Sequence, residues 1–212
     1  MDLRYSRVKS LLGDDFSKLQ DAKVLLLGVG GVGGFCLDCL VRTGVKDITI
    51  VDFDTFEESN QNRQIGSESL GSVKVEHLQK LYPCVSTINI KITPQWCEDF
   101  DFSPFDLVID AIDDMKAKVS IAHKVHEKLI SAMGGAKKLD PTKVELTSIW
   151  KTHGDPLAKK FRYELKKSGF DKDFLVVFSS EISHCKDLGS FVGVTGTVGL
   201  TLCSGAIKKL CS

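Results

Sequence analysis

The chain has 212 residues, 42% of them hydrophobic, enough for one substantial core and a small appendage but not for two full domains. Lysine plus arginine and aspartate plus glutamate number 28 each, so no global charge draws the chain to nucleic acid or to an anionic membrane; any such partner needs a local patch. Seven scattered cysteines, and an N-terminus rich in charge (Asp2, Arg4, Arg7, Lys9) rather than apolar, imply reduced thiols and a cytoplasmic setting.

The first 22 residues read as a helical arm, with a helix over 3–12 and a turn near Phe16–Leu19. Lys23–Gly28 is a continuous apolar run, as in a strand of a parallel sheet covered on both faces. A glycine turn then leads into a helix over 32–43, stopped at Gly44. Strands follow at 47–52, 87–92, 107–110 and 130–133, with helices at 72–81 and 115–127 between them. This alternation predicts an α/β fold, a doubly wound, mostly parallel Rossmann-like sheet. After the Asp140-Pro141-Thr142 turn, a strand at 144–149 is expected to add antiparallel at the C-terminal side. A charged helix at 156–168, a strand at 174–178 and a glycine-rich helix complete the chain. The stretch 188–207 carries no charge and is long enough to span a bilayer, but half of its twenty residues are Gly, Ser or Thr; a closely packed buried helix fits better.

Gly28-Val29-Gly30-Gly31-Val32-Gly33 has the G-x-G-x-x-G spacing between a strand and a helix. There the glycines allow a tight turn, close approach of phosphate to backbone and close helix packing, while the helix N-terminus supplies positive potential. Asp52, nineteen residues after Gly33, ends the second strand where it can accept ribose hydroxyls. A NAD enzyme would share these features. The cluster Asn60, Asn62, Arg63 and Gln64, with Lys74 beginning the next helix, offers cations and amides suited to a triphosphate and favours ATP. Asp110-Ala-Ile-Asp113-Asp114 ends the strand at 107–110, where carboxylates face the ligand crevice. Asp113 is the magnesium candidate, although Asp113 or Asp114 could equally cap the following helix.

GVGGVG, then VDFD (51–54), SNQNRQ (59–64), a G-x-x-K-x-E stretch (71–76) and DAIDD (110–114) occur in the order found in ubiquitin-activating-type enzymes. That superfamily includes the bacterial adenylating enzymes of thiamine and molybdopterin synthesis. The closing GTVGLTLCSGAIKKL and the opening Arg4-Tyr5-Ser6-Arg7 resemble its last helix and its R-Y-x-R start. MGGA (133–136), LDPT (139–142), DPLAKK (155–160) and VFSSE (177–181) are similar to the branch that uses ATP to cyclise the threonylcarbamoyl group on an adenosine beside the tRNA anticodon. The resemblance implies a single adenylating domain over 1–212, with a nucleotide-binding half at 23–135 and a substrate-side half at 136–212. It also implies ATP and magnesium as cofactors, tRNA as substrate and a homodimer, with a sulfur-relay protein as a possible further partner.

The nucleotide contacts it implies are Gly28, Gly30, Gly31, Gly33, Asp52, Asp54, Asn60, Asn62, Arg63, Gln64 and Lys74. Asp113 would hold the metal, and Arg7 would reach the ATP of a second subunit. Arg63, Lys74 and Asp113 would carry catalysis. A basic patch for tRNA is expected on the helix bearing Lys159, Lys160, Arg162, Lys166 and Lys167, supplemented by Lys137 and Lys138. Ring closure within one nucleoside needs no enzymic nucleophile. Cys36 and Cys39 therefore suit packing, and Cys185 is the one thiol expected near the site. Adenylation of a ubiquitin-like sulfur carrier shares the first half-reaction and stays open, as do, more distantly, a NAD-dependent oxidoreductase and a non-catalytic nucleotide sensor.

Overall fold

The computed structural model describes residues 3–187 and 189–212; Leu188, the first residue of the uncharged stretch, and Met1 and Asp2 at the N-terminus lie outside the described residues. Its centre is a seven-stranded sheet in the order β3-β2-β1-β4-β5-β7-β6. The strands are β1 (Lys23–Leu27), β2 (Asp47–Val51), β3 (Val85–Ile88), β4 (Leu107–Asp110), β5 (Leu129–Ala132), β6 (Val144–Ser148) and β7 (Leu175–Ser179). β1 to β5 and β7 run parallel, and β6 returns antiparallel to β7, which is the antiparallel addition expected at the C-terminal side.

Side chains on β1 alternate between two cores. Val24 and Leu26 pack on the layer formed by α2 (Asp15–Asp21), α3 (Gly33–Thr43), α4 (Lys74–Leu81) and α8 (Val192–Cys211). Leu25 and Leu27 face α5 (Pro94–Asp99), α6 (Met115–Val125) and α7 (Pro156–Lys167). Burial on both sides explains why β1 is an unbroken apolar run. The N-terminal arm is a 3-10 turn, Leu3–Tyr5, followed by α1 (Ser6–Leu12), which has no buried residue.

Two elements depart from the sequence reading. β3 begins at Val85 rather than near Thr87 and ends at Ile88, because Ile88 pairs with Val51, the last residue of β2; beyond it the chain has no ladder partner. The short helix α5 is an additional element. Thr93 caps it by accepting from Trp96 N at 3.1 Å, with Pro94 in the first turn.

α8 uses its glycines within the chain. A Cβ on Gly199 would stand 2.3 Å from Val32 O and 2.9 Å from Phe35 Cβ, and Gly205 abuts Leu146. The small-residue face is thus occupied by α3 and β6 and gives no support of its own to a dimer. No helix among the described residues is long and apolar enough to cross a membrane.

Candidate active site

The C-terminal ends of β1 and β4 meet where the connections leave in opposite directions, the usual ligand crevice of such sheets. Gly28 there has φ +86°, and a Cβ on it would lie 2.8 Å from Ala111 O. A Cβ on Gly33 would lie 1.9 Å from Gly28 O, so the first turn of α3 can close on β1 only without a side chain. Gly33→Ala is expected to cost about 1–3 kcal/mol of stability and to weaken ATP binding by roughly tenfold or more, read by thermal melting and calorimetric titration.

Asp52 is held rigidly. Its Oδ2 accepts from Val29 N at 2.9 Å and its Oδ1 from Asp54 N at 3.0 Å, so the carboxylate lies beside the glycine turn with its orientation preset. The chain from 54 to 74 folds back on itself through a bridge between Thr55 and Val73 and a Lys74 N to Asp54 O bond of 2.9 Å. This loop returns Lys74, twenty residues on, to Asp54, where Nζ donates to Oδ2 at 3.2 Å. Lys74 is only 4% exposed, whereas the Asp54 side chain is half exposed.

The same loop carries the polar cluster onto the turn. A Cβ on Gly31 would meet Arg63 Cγ at 3.0 Å, and one on Gly30 would meet Gln64 Nε2 at 3.7 Å. Arg63 Nη1 donates to Ser59 O and to Asn62 Oδ1, both at 2.8 Å, which leaves Nε and Nη2 for a ligand. Gln64 Oε1 is buried without a partner among the described residues. Asn60 and Asn62 serve the loop itself. Asn60 Oδ1 accepts from Glu57 N at 3.2 Å, and Asn62 Nδ2 donates to Ser190 O at 3.1 Å, tying the loop to the segment before α8. Arg63 and Gln64 also line a cavity of about 570 Å³ with Phe35 and Val192.

The DAIDD carboxylates separate into three roles. Asp114 caps α6, accepting from Ala117 N at 2.8 Å. Asp113 is exposed and has no partner among the described residues. Asp110 does not face the crevice as expected: it is fully buried, and its Oδ2 accepts from Lys118 Nζ at 2.8 Å and Ser131 Oγ at 2.6 Å. Arg7 is exposed on α1, with no partner among the described residues.

Further along the strand edge the structure redistributes the residues of the expected basic patch. Lys138 is buried; its Nζ donates to Asp155 Oδ2 at 2.7 Å, Ser179 O at 2.8 Å and Gly134 O at 3.0 Å, binding the ends of β5 and β7 to the start of α7. It therefore drops out of the expected basic patch. Arg162 is half-buried and donates to Thr152 Oγ1. Lys159, Lys160, Lys166 and Lys167 are exposed on α7 with Tyr163 among them, and Lys137, with φ +66°, donates to Lys186 O.

Glu181 is almost buried and accepts from Leu139 N, from Asp140 N at 2.8 Å and from the His184 ring at 2.5 Å. Burial pushes its carboxyl up, but the Asp140 N–H, the imidazole and the Leu139 N–H together hold it below the usual range. Cys185 is exposed, its Sγ donating to Asp187 O at 3.2 Å. The Cys36 thiol is pushed up by burial, as an inert packing residue would be, and Cys39 lies hydrogen-bonded beside Cys203.

A doubly wound sheet with this glycine turn and cationic loop defines an adenylating domain, and the ThiF family model matches residues 5–211; the chain belongs to the ThiF family. Among its relatives, the tRNA threonylcarbamoyladenosine dehydratase of Bacillus subtilis is 36% identical over 190 residues, 84% of this chain and 75% of that protein. Dehydratase 2 of Saccharomyces cerevisiae is 35% identical over 83% of this chain, which spans only 42% of that longer protein. A crystal structure of the Escherichia coli enzyme, TcdA, in complex with ATP superposes with a TM-score of 0.91 at 31% identity, covering 98% of this chain and 93% of that one.

Proposed function

We propose that this chain uses ATP to activate the threonyl carboxylate of threonylcarbamoyladenosine in tRNA and then closes that group into a ring with net loss of water. The observation that carries the reading is that Arg63 and Gln64 lie against Gly31 and Gly30 of the turn while Lys74 is held on Asp54, next to the Asp52 carboxylate that binds Val29 N, in a chain that matches a TcdA–ATP complex over nearly its whole length.

A carboxylate oxygen attacks the α-phosphorus of ATP, and the bond to the β-phosphate oxygen breaks to release pyrophosphate. Backbone N–H groups of the glycine turn and the start of α3 receive phosphate oxygens. Arg63, through Nε and Nη2, and Lys74 offset the charge that grows on them. Asp52 orients the ribose, and Asp54 holds Lys74 in place until the phosphates arrive. An exposed, unpaired carboxylate at a triphosphate crevice fits magnesium, which is commonly held by one or two carboxylates plus phosphates; Asp113 is the residue that would hold it. The ion would add positive charge at the phosphate oxygens. Asn60 and Asn62 shape the loop that presents Arg63, and Arg7 is assigned to the ATP of a second copy in a homodimer.

The tRNA surface in this reading is the outer face of α7, where Lys159, Lys160, Lys166 and Lys167 flank Tyr163. Changing Lys159 and Lys160 to Glu together should weaken tRNA binding roughly tenfold and flatten its salt dependence, with ATP affinity unchanged. Unaltered tRNA affinity would remove this face from the account.

The function itself is tested by mass spectrometry of tRNA nucleosides after incubation with the protein, ATP and magnesium. Threonylcarbamoyladenosine lighter by one water, formed only with ATP, is the expected result. Unmodified nucleoside alongside adenylation of an added sulfur carrier would favour the other adenylating reaction.

A further inference from the structure

Beyond the nucleotide crevice, at the β5, β7 and β6 end of the same sheet edge, lies a second cavity of about 530 Å³. Leu139, Pro141 and Ile182 supply its apolar walls, and Glu181, His184 and Lys143 its polar ones. Leu139 and Ile182 are 59% and 80% exposed, large apolar side chains left uncovered around an opening. The facing walls of crevice and cavity, at the β4 and β7 ends, are two strand spacings apart, on the order of 10 Å.

His184 is fixed from two directions. Its backbone N–H donates to Lys137 O at 2.8 Å, and its Nε2 lies 2.5 Å from Glu181 Oε1. Glu181 is itself pinned by the Leu139 and Asp140 N–H groups, so the ring has a preset orientation although its side chain is 53% exposed. With Nε2 donating to Glu181, Nδ1 is the nitrogen that keeps a lone pair. A carboxylate that orients a cavity-lining histidine, with its second ring nitrogen unpaired among the described residues, is the arrangement of a general base. Other charged or titratable groups at hand are Asp140 and Lys143 from the 3-10 turn opposite, Lys137 from the loop after β5, and Cys185 and Lys186 from His184's own loop.

We propose that this cavity receives the modified base of the substrate, between Leu139 and Ile182, and that His184 accepts the proton released when the ring closes, with Glu181 as its positioning residue. The inference rests on the function proposed above. In the acyl adenylate, the threonyl carbonyl carbon is bonded to an oxygen of AMP. The ureido group of the same nucleoside attacks that carbon through nitrogen or oxygen. One bond forms to the carbon, and the carbon–oxygen bond to AMP breaks. AMP leaves with the bonding pair, and one ureido N–H proton passes to Nδ1 of His184 and on to solvent. No oxidant, metal or enzymic nucleophile is needed.

The test separates the two half-reactions, using the full-length protein and tRNA that carries threonylcarbamoyladenosine. Exchange of labelled pyrophosphate into ATP reads adenylation; mass spectrometry of the nucleosides reads ring closure. His184→Gln is expected to keep tRNA-dependent exchange within about threefold of the unaltered protein while slowing ring closure about 10²-fold, with partial recovery for His184→Ala in added imidazole. Glu181→Gln is expected to slow closure about tenfold while leaving exchange within about threefold, a split between the two half-reactions that loss of a merely structural contact would not give. Ring closure at the unaltered rate in His184→Gln overturns the inference alone. So does an equal loss of exchange and closure that imidazole does not reverse, since that marks a structural role. Absence of tRNA-dependent exchange in the unaltered protein overturns the function proposed above, and this inference with it.

Discussion

Lys74→Ala should lower the rate of tRNA-dependent pyrophosphate release by about 10²–10³-fold, an effect of the size seen when a preorganised charge donor is removed from a reacting centre. The reason lies in how Lys74 is delivered. It begins α4, is 4% exposed, and is brought back across twenty residues to Asp54 by the folded loop. Its ammonium group is therefore desolvated and aimed before ATP arrives, so little reorganisation is needed when charge moves onto phosphate. The loop carries its own backbone hydrogen bonds, including Phe56 N to Ser72 O at 2.9 Å, so the fold should survive the change. Steady-state release with ATP at saturation, together with a melting curve, checks the prediction. A melting point within a degree or two and a rate within a few-fold of the unaltered protein would show that Lys74 only balances Asp54.

Lys118→Ala should instead destabilise the fold. Lys118 and Asp110 are both fully buried, at 0% exposure, and paired at 2.8 Å. Removing one partner leaves Asp110 as an uncompensated charge inside the sheet, a loss of about 3–5 kcal/mol. For a chain of this size that corresponds to a melting point lower by roughly 10 °C. Asp110 also accepts from Ile112 N at 3.1 Å, and Lys118 donates to Ile112 O at 3.1 Å, so the pair holds the loop that carries Asp113. The double change Asp110→Asn with Lys118→Met should recover much of the stability, because an apolar replacement removes both charges together. Equal melting points for the single and double variants would contradict this.

The nucleotide end of the molecule was the legible part because its signals are local. Gly28 to Gly33, Asp52 and the β1 run sit within about thirty residues, and each demands a specific backbone or burial that few other residues meet. The end of β3 was not legible, since it depends on where β2 stops rather than on the composition of 85–92. α5 did announce itself, through Thr93 followed by Pro94, but one turn and a half of helix carries little periodicity.

Lys118 had a readable signal: it stands in the apolar stripe of α6 with Ala117, Ile121, Ala122 and Val125, and a lysine there needs a buried anion. Lys138 had none. In sequence it belongs to a basic pair, and only the approach of Asp155, seventeen residues on, buries it. The same holds for Glu181 and Leu139, 42 positions apart and brought together by the antiparallel pairing of β6 with β7. Signals of that kind exist in the topology and not in any window of the chain.

The most direct test of the central claim follows an oxygen atom. With tRNA whose threonyl carboxylate is labelled with heavy oxygen, attack of that carboxylate on the α-phosphorus predicts one heavy oxygen in the AMP released after ring closure. Unlabelled AMP, or label found in orthophosphate, would contradict an acyl adenylate and the reading of this crevice that depends on it.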